Sequence, residues 1–127
     1  MQKEAGTKQK ISKDTLSKLL ADLYQWRYSR LYNETEKYLS FYSTDFVRND
    51  GMKYDYFKKY KTRIFKKKEK KKIIFNNIDV IPYPNVDDTF QITFKEFYTS
   101  NSFSFEGNKI LIVKIDKDNN FKILTEK

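Results

Sequence analysis

The sequence predicts an α+β domain in which N-terminal helices pack into the concave face of one curved, mainly antiparallel sheet. Two observations carry that prediction. The C-terminal part holds four runs of alternating apolar residues, at 73–81, 89–99, 109–116 and 121–126, each closed by turn residues. Ahead of them lie stretches whose apolar residues recur every three or four positions, the spacing of a helix that buries one side. At 127 residues the chain has the size of one domain with a real hydrophobic core.

Taken in order, residues 1–13 read as a polar, flexible leader and 14–127 as a single domain. The first ten residues have no apolar centre and do not resemble a secretory signal. Asp14 or Thr15 is placed to cap a first helix. Its stripe is Leu16, Leu19, Leu20, Leu23, Trp26, the stem of Arg27 and Leu31, with Lys18, Asp22, Gln25 and Ser29 opposite. Asn33 followed by Glu36 has the spacing of a capping box and starts a short helix presenting Tyr38, Leu39 and Tyr42. An extended piece at 45–47 leads to the turn Asn49-Asp50-Gly51. A third helix over 54–66 buries Phe57, Tyr60, Ile64 and Phe65.

The strands alternate. Phe90, Ile92, Phe94, Glu96 and Tyr98 share one face of the second, while Lys109, Leu111, Val113 and Ile115 share one face of the third. Turns are expected at 82–88, at Glu106-Gly107-Asn108 and at Asp118-Asn119-Asn120. Connections this short make neighbouring strands antiparallel. The outer face carries Phe97, Ile110 and Ile112 among polar residues, so a second copy or a catalytic domain is a reasonable partner there.

Composition excludes several chemistries. With no His and no Cys there is no imidazole base, catalytic triad, thiol nucleophile, disulfide or Cys-ligated metal. No cofactor or metal is expected, and acid–base work would fall to Asp, Glu, Tyr or Lys. No apolar run is long enough to cross a bilayer. Aromatic residues make up 17% of the chain, which suits both a stable core and the walls of a ligand pocket. A coding bias towards Lys, Asn, Ile, Tyr and Phe explains the same enrichment.

The charge is concentrated. Between residues 58 and 72, ten basic side chains face Glu69 alone, a balance equal to the whole chain's +9. A solvated helix end is the favoured reading, since cations suit a helix C-terminus. A weak anion-binding patch comes second. Nucleic acid is not the expected partner, because the run is nearly pure Lys without the Arg and aromatic interleaving of such surfaces.

Trp26, Ser29 and the run 38–43 with Asp45-Phe46 resemble the helical opening of nuclear transport factor 2-like domains, in particular those attached to bacterial L,D-transpeptidase-type peptidoglycan enzymes. Phe94-Lys95-Glu96-Phe97-Tyr98 is similar to that group's Phe-x-Gln-x-Tyr strand, with Glu96 in place of Gln. Lys109-Ile110-Leu111 and Phe121-Lys122-Ile123 with Glu126 resemble its closing motifs, with Phe121 where Trp is usual. The resemblance spans roughly residues 16–126 and implies a cone with an open mouth. The family includes enzymes and non-catalytic accessory domains. The enzymes commonly use a His-Asp pair, which this chain cannot form.

Within such a cone Glu96 and Tyr98, two apart on one strand, point the same way, and Trp26 and Tyr42 can face them. A carboxylate among rings has its charged form destabilised, which makes Glu96 a candidate general base. Ordering of the core by Glu96 is the plainer alternative. Lys109, beside the mouth, is a candidate for an anionic ligand, and Asn77 and Asp79 approach the mouth if their strand faces inward. The favoured function is a non-catalytic accessory domain with an aromatic-lined pocket for a small-molecule or peptide ligand, linked to muropeptide processing. The alternative is a small enzyme using Glu96 with Tyr98 for proton transfer on a hydrophobic carbonyl compound. The first reading implies the periplasm if the domain belongs to a larger cell-wall enzyme; otherwise the cytoplasm is expected.

Overall fold

The computed structural model describes residues 11–127, in which three helices precede four strands. The helices are α1 (Lys13–Leu31), α2 (Thr35–Ser40) and α3 (Tyr54–Phe65). Strands β1 (Lys71–Pro82), β2 (Thr89–Ser100), β3 (Ser104–Ile115) and β4 (Phe121–Glu126) pair antiparallel in sequence order as one open sheet. Of the leader expected over 1–13, residues 1–10 lie outside the described residues, while Ser12 caps α1 and Lys13 begins it.

Ser12, rather than Asp14 or Thr15, caps α1. Its hydroxyl accepts the Thr15 amide at 3.1 Å, and Asp14 sits in the first turn, where the helix dipole favours a carboxylate. Leu19, Leu23 and Trp26 are fully buried, as their spacing predicts. Ser29 was expected outside and is buried instead. It follows Trp26 by three residues, on the same face, and donates to the Trp26 carbonyl at 2.7 Å, so its hydroxyl goes in satisfied.

The capping box at Asn33 and Glu36 does not form. Asn33 takes the left-handed conformation at φ 55°, and α2 begins behind Glu34 with no side-chain cap. The Asn33 amide is used across the fold, donating to the Glu69 carbonyl and accepting from Lys71. Tyr42 consequently follows α2 instead of riding on it, and bridges to Ile123 of β4. On α3, Phe57 and Phe65 are the buried residues, with Tyr60 and Ile64 only partly covered.

The turn expected at Glu106-Gly107-Asn108 is strand. The chain reverses at residues 101–103, and Gly107 pairs with Glu96 inside β3. A Cβ on Gly107 would lie 3.0 Å from the Phe105 ring, so this glycine marks a close approach within a strand.

Two irregularities set which side chains face inward. β1 gains a residue between Asn76 and Asp79, with Asn77 at φ 57°. The extra residue flips the alternation: Ile73 and Phe75 face the helices before it, and Val80 opposite Ile92 after it. Asn77 and Asp79 are left exposed. The β3–β4 pairing shifts in the same way between Ile112 and Val113, which carries Glu126 opposite Leu111 on the inner face. Without that shift Thr125 would point in.

The core joins the concave sheet face to the helices. Phe75 and Phe94 lie 4.4 Å apart beneath Trp26, and a second cluster joins Phe46 to Phe57 at 4.6 Å and Tyr42 to Phe57 at 4.8 Å. Each fully buried ring contributes about 1.5–3 kcal/mol. Much of the aromatic excess is therefore core.

Candidate functional site

Where the C-terminal end of α1 and the second half of α3 meet β2 and β3, the helices leave part of the sheet uncovered. An open cavity of about 370 Å³ results, within the range of small-molecule sites. Its apolar surface comes from Ile64, Phe65, Tyr98, Phe103 and Phe105, and its polar surface from Arg30, Tyr38, Glu96 and several lysines.

The floor is an ion pair. Arg30 and Glu96 meet through both guanidinium and both carboxylate atoms, at 2.7 and 2.9 Å, and the Glu96 side chain is 2% exposed. The Arg30 guanidinium also lies 4.6 Å over the Trp26 ring and 5.7 Å from that of Tyr98. Burial works against the arginine charge, but the hydrogen bond and charge of Glu96 outweigh it and raise its pKa.

Below this pair runs a second polar chain. Trp26 Nε1 donates to the Tyr42 hydroxyl at 3.1 Å, Tyr42 donates to Glu126 at 2.8 Å, and the Tyr38 and Tyr42 hydroxyls are 2.9 Å apart. One phenol carries one proton. The carboxylate is the stronger acceptor, so Tyr42 gives its proton to Glu126 and receives that of Tyr38. Lys109 reaches the other Glu126 oxygen at 3.5 Å. Burial and the nearby Glu126 charge push the Tyr38 and Tyr42 pKa values well up. Burial acts to raise that of Glu126 as well, but Lys109, Lys61 and Arg30, with the Tyr42 hydrogen bond, bring it below its ordinary value.

The wall and mouth are different. Lys71 donates to the Arg30 carbonyl at 2.9 Å and to Asn33 Oδ1 at 2.7 Å, with its ammonium 4.3 Å over the Phe65 ring. Lys61 lies 5.7 Å from the ring centroids of both Phe57 and Tyr60. Burial lowers both lysine pKa values to about 8. Glu69 is held by the Ser102 amide and hydroxyl, which fastens the segment before β1 to the β2–β3 turn at the mouth. These bonds lower the Glu69 pKa.

Among the residues predicted for a site, Glu96, Tyr98 and Lys109 line the cavity, and Trp26 and Tyr42 lie beneath it in the core. Glu96 is not an isolated carboxylate among rings, because Arg30 occupies both of its oxygens. Asn77 and Asp79 do not approach the cavity. The lysine run divides: Lys58, Lys59 and Lys66 face a shallow depression outside α3, whereas Lys61, Lys67 and Lys71 line the cavity.

Sequence reasoning passed over Arg30, Lys61, Lys71 and Glu126. Spacing signals existed for three of them. Arg30 follows Trp26 by one turn, Lys61 lies four residues from both Phe57 and Phe65, and Lys71 shares the parity of Ile73 and Phe75. Glu126 had no such signal, since the register shift before it reverses its direction.

Among the described residues there is no cluster of carboxylates that could hold a metal ion, and no helix is long and apolar enough to cross a membrane.

Comparison with known proteins gives a consistent result. The family described as the Cds6 C-terminal NTF2-like domain matches residues 18–127. The helical cell shape determining protein Pgp2 of Campylobacter jejuni, in a K307A mutant structure, superposes with TM-score 0.88 at 42% identity. That match covers 92% of this chain and 41% of the Campylobacter chain, so the chain spans less than half of that protein's length. Bd1075 of Bdellovibrio bacteriovorus matches at TM-score 0.78 and 21% identity, covering 92% of this chain and 42% of that one. An NTF2-like protein of unknown function from Pseudomonas putida KT2440 matches at TM-score 0.74 and 9% identity, over 92% and 87% of the two chains. The last two show likeness of fold alone. No curated protein sequence matches the chain.

Proposed function

Because the chain belongs to the Cds6 C-terminal NTF2-like family, we propose that it is a non-catalytic binding domain serving a peptidoglycan-processing protein. Its cavity would receive a muropeptide fragment. The observation that carries this reading is the division of charge around the cavity. Both inner carboxylates are engaged, Glu96 by Arg30 and Glu126 by Tyr42 and Lys109, so neither stands free to take a proton from a substrate. What remains open is a partly aromatic recess rimmed by ammonium groups, which suits binding. The same engagement weighs against proton transfer by Glu96 with Tyr98.

The likeness to a cell-shape protein supports the cell-wall assignment, and a periplasmic location follows from it as part of the proposal. The outer sheet face exposes Ile74 and Ile81, and we place a catalytic-domain or second-copy contact there.

Titration of the isotope-labelled domain with purified muropeptides tests the reading. The expected result is chemical-shift change at Tyr98, Phe103, Lys61 and Lys71 with no new product by chromatography. Turnover, or shifts confined to residues away from the cavity, would overturn it.

A further inference from the structure

We propose that the outer side of α3 docks the domain on an anionic lipid bilayer, its lysine and arginine side chains meeting the headgroup phosphates. This contact is separate from the cavity and from whatever the cavity receives.

The charge of the chain has a direction. Outside the segment 58–72, basic and acidic side chains balance at sixteen each, so the whole excess of +9 lies in that segment. Of its ten basic residues, Lys61 and Lys71 are partly covered at the cavity, and the other eight are exposed. None of those eight has a carboxylate within salt-bridge distance among the described residues. Elsewhere on the surface Lys18, Arg48 and Lys95 each have one, from Asp22, Asp50 and Glu106. A one-sided, unpaired field of this kind draws an oppositely charged surface to that side.

The helix lays this charge out as a stripe. Lys59, Arg63 and Lys66 follow one another at four and three residues and so share one side, opposite Phe57 and Ile64, which pack into the core. With Lys58 and Thr62 they line a shallow depression whose one acid is Asp55. Attraction to the helix C-terminus explains Arg63 and Lys66, but it fades within one turn and does not reach Lys58 and Lys59 in the middle of α3. Tyr56, 62% exposed, precedes Lys59 by three residues and Arg63 by seven, which places a ring beside the stripe.

These features choose among polyanions. A nucleic-acid strand is followed by a groove that carries aromatic platforms for its bases. Here the cations stand on the convex side of a helix, seven of the eight exposed ones are lysine, and the ring beside them is a single tyrosine. Compact ammonium groups on flexible stems suit the many mobile phosphates of a bilayer face, and tyrosine favours the headgroup level. The apolar side of α3 is already buried in the core, so the helix lies on the headgroups without inserting. The outer sheet face is on the far side of the core from α3 and stays free.

Co-sedimentation of the domain with vesicles tests the contact. Vesicles of equal parts phosphatidylglycerol and phosphatidylcholine are expected to bind the domain at low salt and to release it as salt rises. Vesicles of phosphatidylcholine alone are expected not to bind it. Each basic residue at an anionic surface strengthens attachment about fivefold, so K59Q/R63Q/K66Q should weaken it about a hundredfold. K13Q/K114Q/K117Q removes the same charge from exposed lysines elsewhere and should bind within a few-fold of the native chain. Both variants are first checked for a native circular dichroism spectrum. Equal losses in the two variants overturn the assignment to α3, and equal binding to uncharged vesicles overturns attachment by charge. No binding to anionic vesicles at low salt overturns the contact itself. Preference for duplex DNA over anionic vesicles at equal phosphate concentration overturns it as well, in favour of nucleic acid.

Discussion

The floor of the cavity and its lysine wall contain similar residues in opposite roles. On the floor every charge has its counter-charge: Arg30 and Glu96 are matched atom for atom, and Glu126 is shared by Tyr42 and Lys109. On the wall Lys61 and Lys71 lean on rings and neutral oxygens. A buried charge that is fully paired holds the fold in register. An ammonium that burial desolvates, with no carboxylate in direct contact, keeps a lowered pKa and is the part of the cavity on which an anionic ligand would act. The comparison separates the residues that hold the cone together from those that would meet a ligand.

The largest effect is expected on the floor. E96A leaves the Arg30 guanidinium buried and unpaired, and should cost about 3–5 kcal/mol in urea unfolding. Replacing both partners with apolar residues, R30M with E96L, should recover most of that loss, because no orphan charge remains. If the double replacement is as unstable as E96A, the pair holds the fold through something other than mutual neutralisation.

Y42F comes next. It removes the hydroxyl that joins Trp26, Tyr38 and Glu126, and unfolding free energy should fall by about 1–3 kcal/mol. Trp26 is the chain's one tryptophan, so a change in its fluorescence should accompany the loss.

The wall should show itself through pH. The folded domain holds Lys61 and Lys71 near 8, against 10.5 for an ordinary lysine. Between those values the unfolded chain carries more protons, so stability should rise with pH from about 8 towards 10. Tyr38 and Tyr42, pushed upward by burial, act with the opposite sign only above the ordinary tyrosine value of about 10. Denaturation series across this window should show the rise in the native chain and a flattened profile in the K61M/K71M double variant. A flat profile in the native chain would mean that neither lysine is desolvated.

The smallest effect belongs to the mouth. S102A removes the hydroxyl bond to Glu69 on an exposed turn, and stability should change by less than about 0.5 kcal/mol. The Glu69 carboxyl pKa, followed by NMR, should move back up towards its ordinary value.

The architecture was legible in the sequence because it rests on periodicity. The stripe through Leu19, Leu23 and Trp26 and the alternation of Ile92, Phe94 and Glu96 each found the buried face. What escaped are places where one residue breaks the period. Asn77, in a left-handed conformation, flips the second half of β1, and the shift between Ile112 and Val113 turns Glu126 inward. Gly107 resembled a turn because a glycine in a strand and a glycine in a reversal look alike until the neighbouring Phe105 ring is known. For the site, Glu96, Tyr98 and Lys109 were reachable from strand parity. Lys61 and Lys71 were hidden inside a lysine run whose bulk suggested a solvated helix end, although their positions on the Phe57–Phe65 stripe and beside Ile73 set them apart from Lys58 and Lys66.

The most direct test follows the side-chain nitrogen resonances of Lys61 and Lys71 through a pH titration, with and without saturating muropeptide. Both ammonium groups should titrate near 8 in the free domain and well above it in the complex. If both titrate at the ordinary lysine value and do not respond to ligand, the wall is merely solvated and the account of the cavity is contradicted.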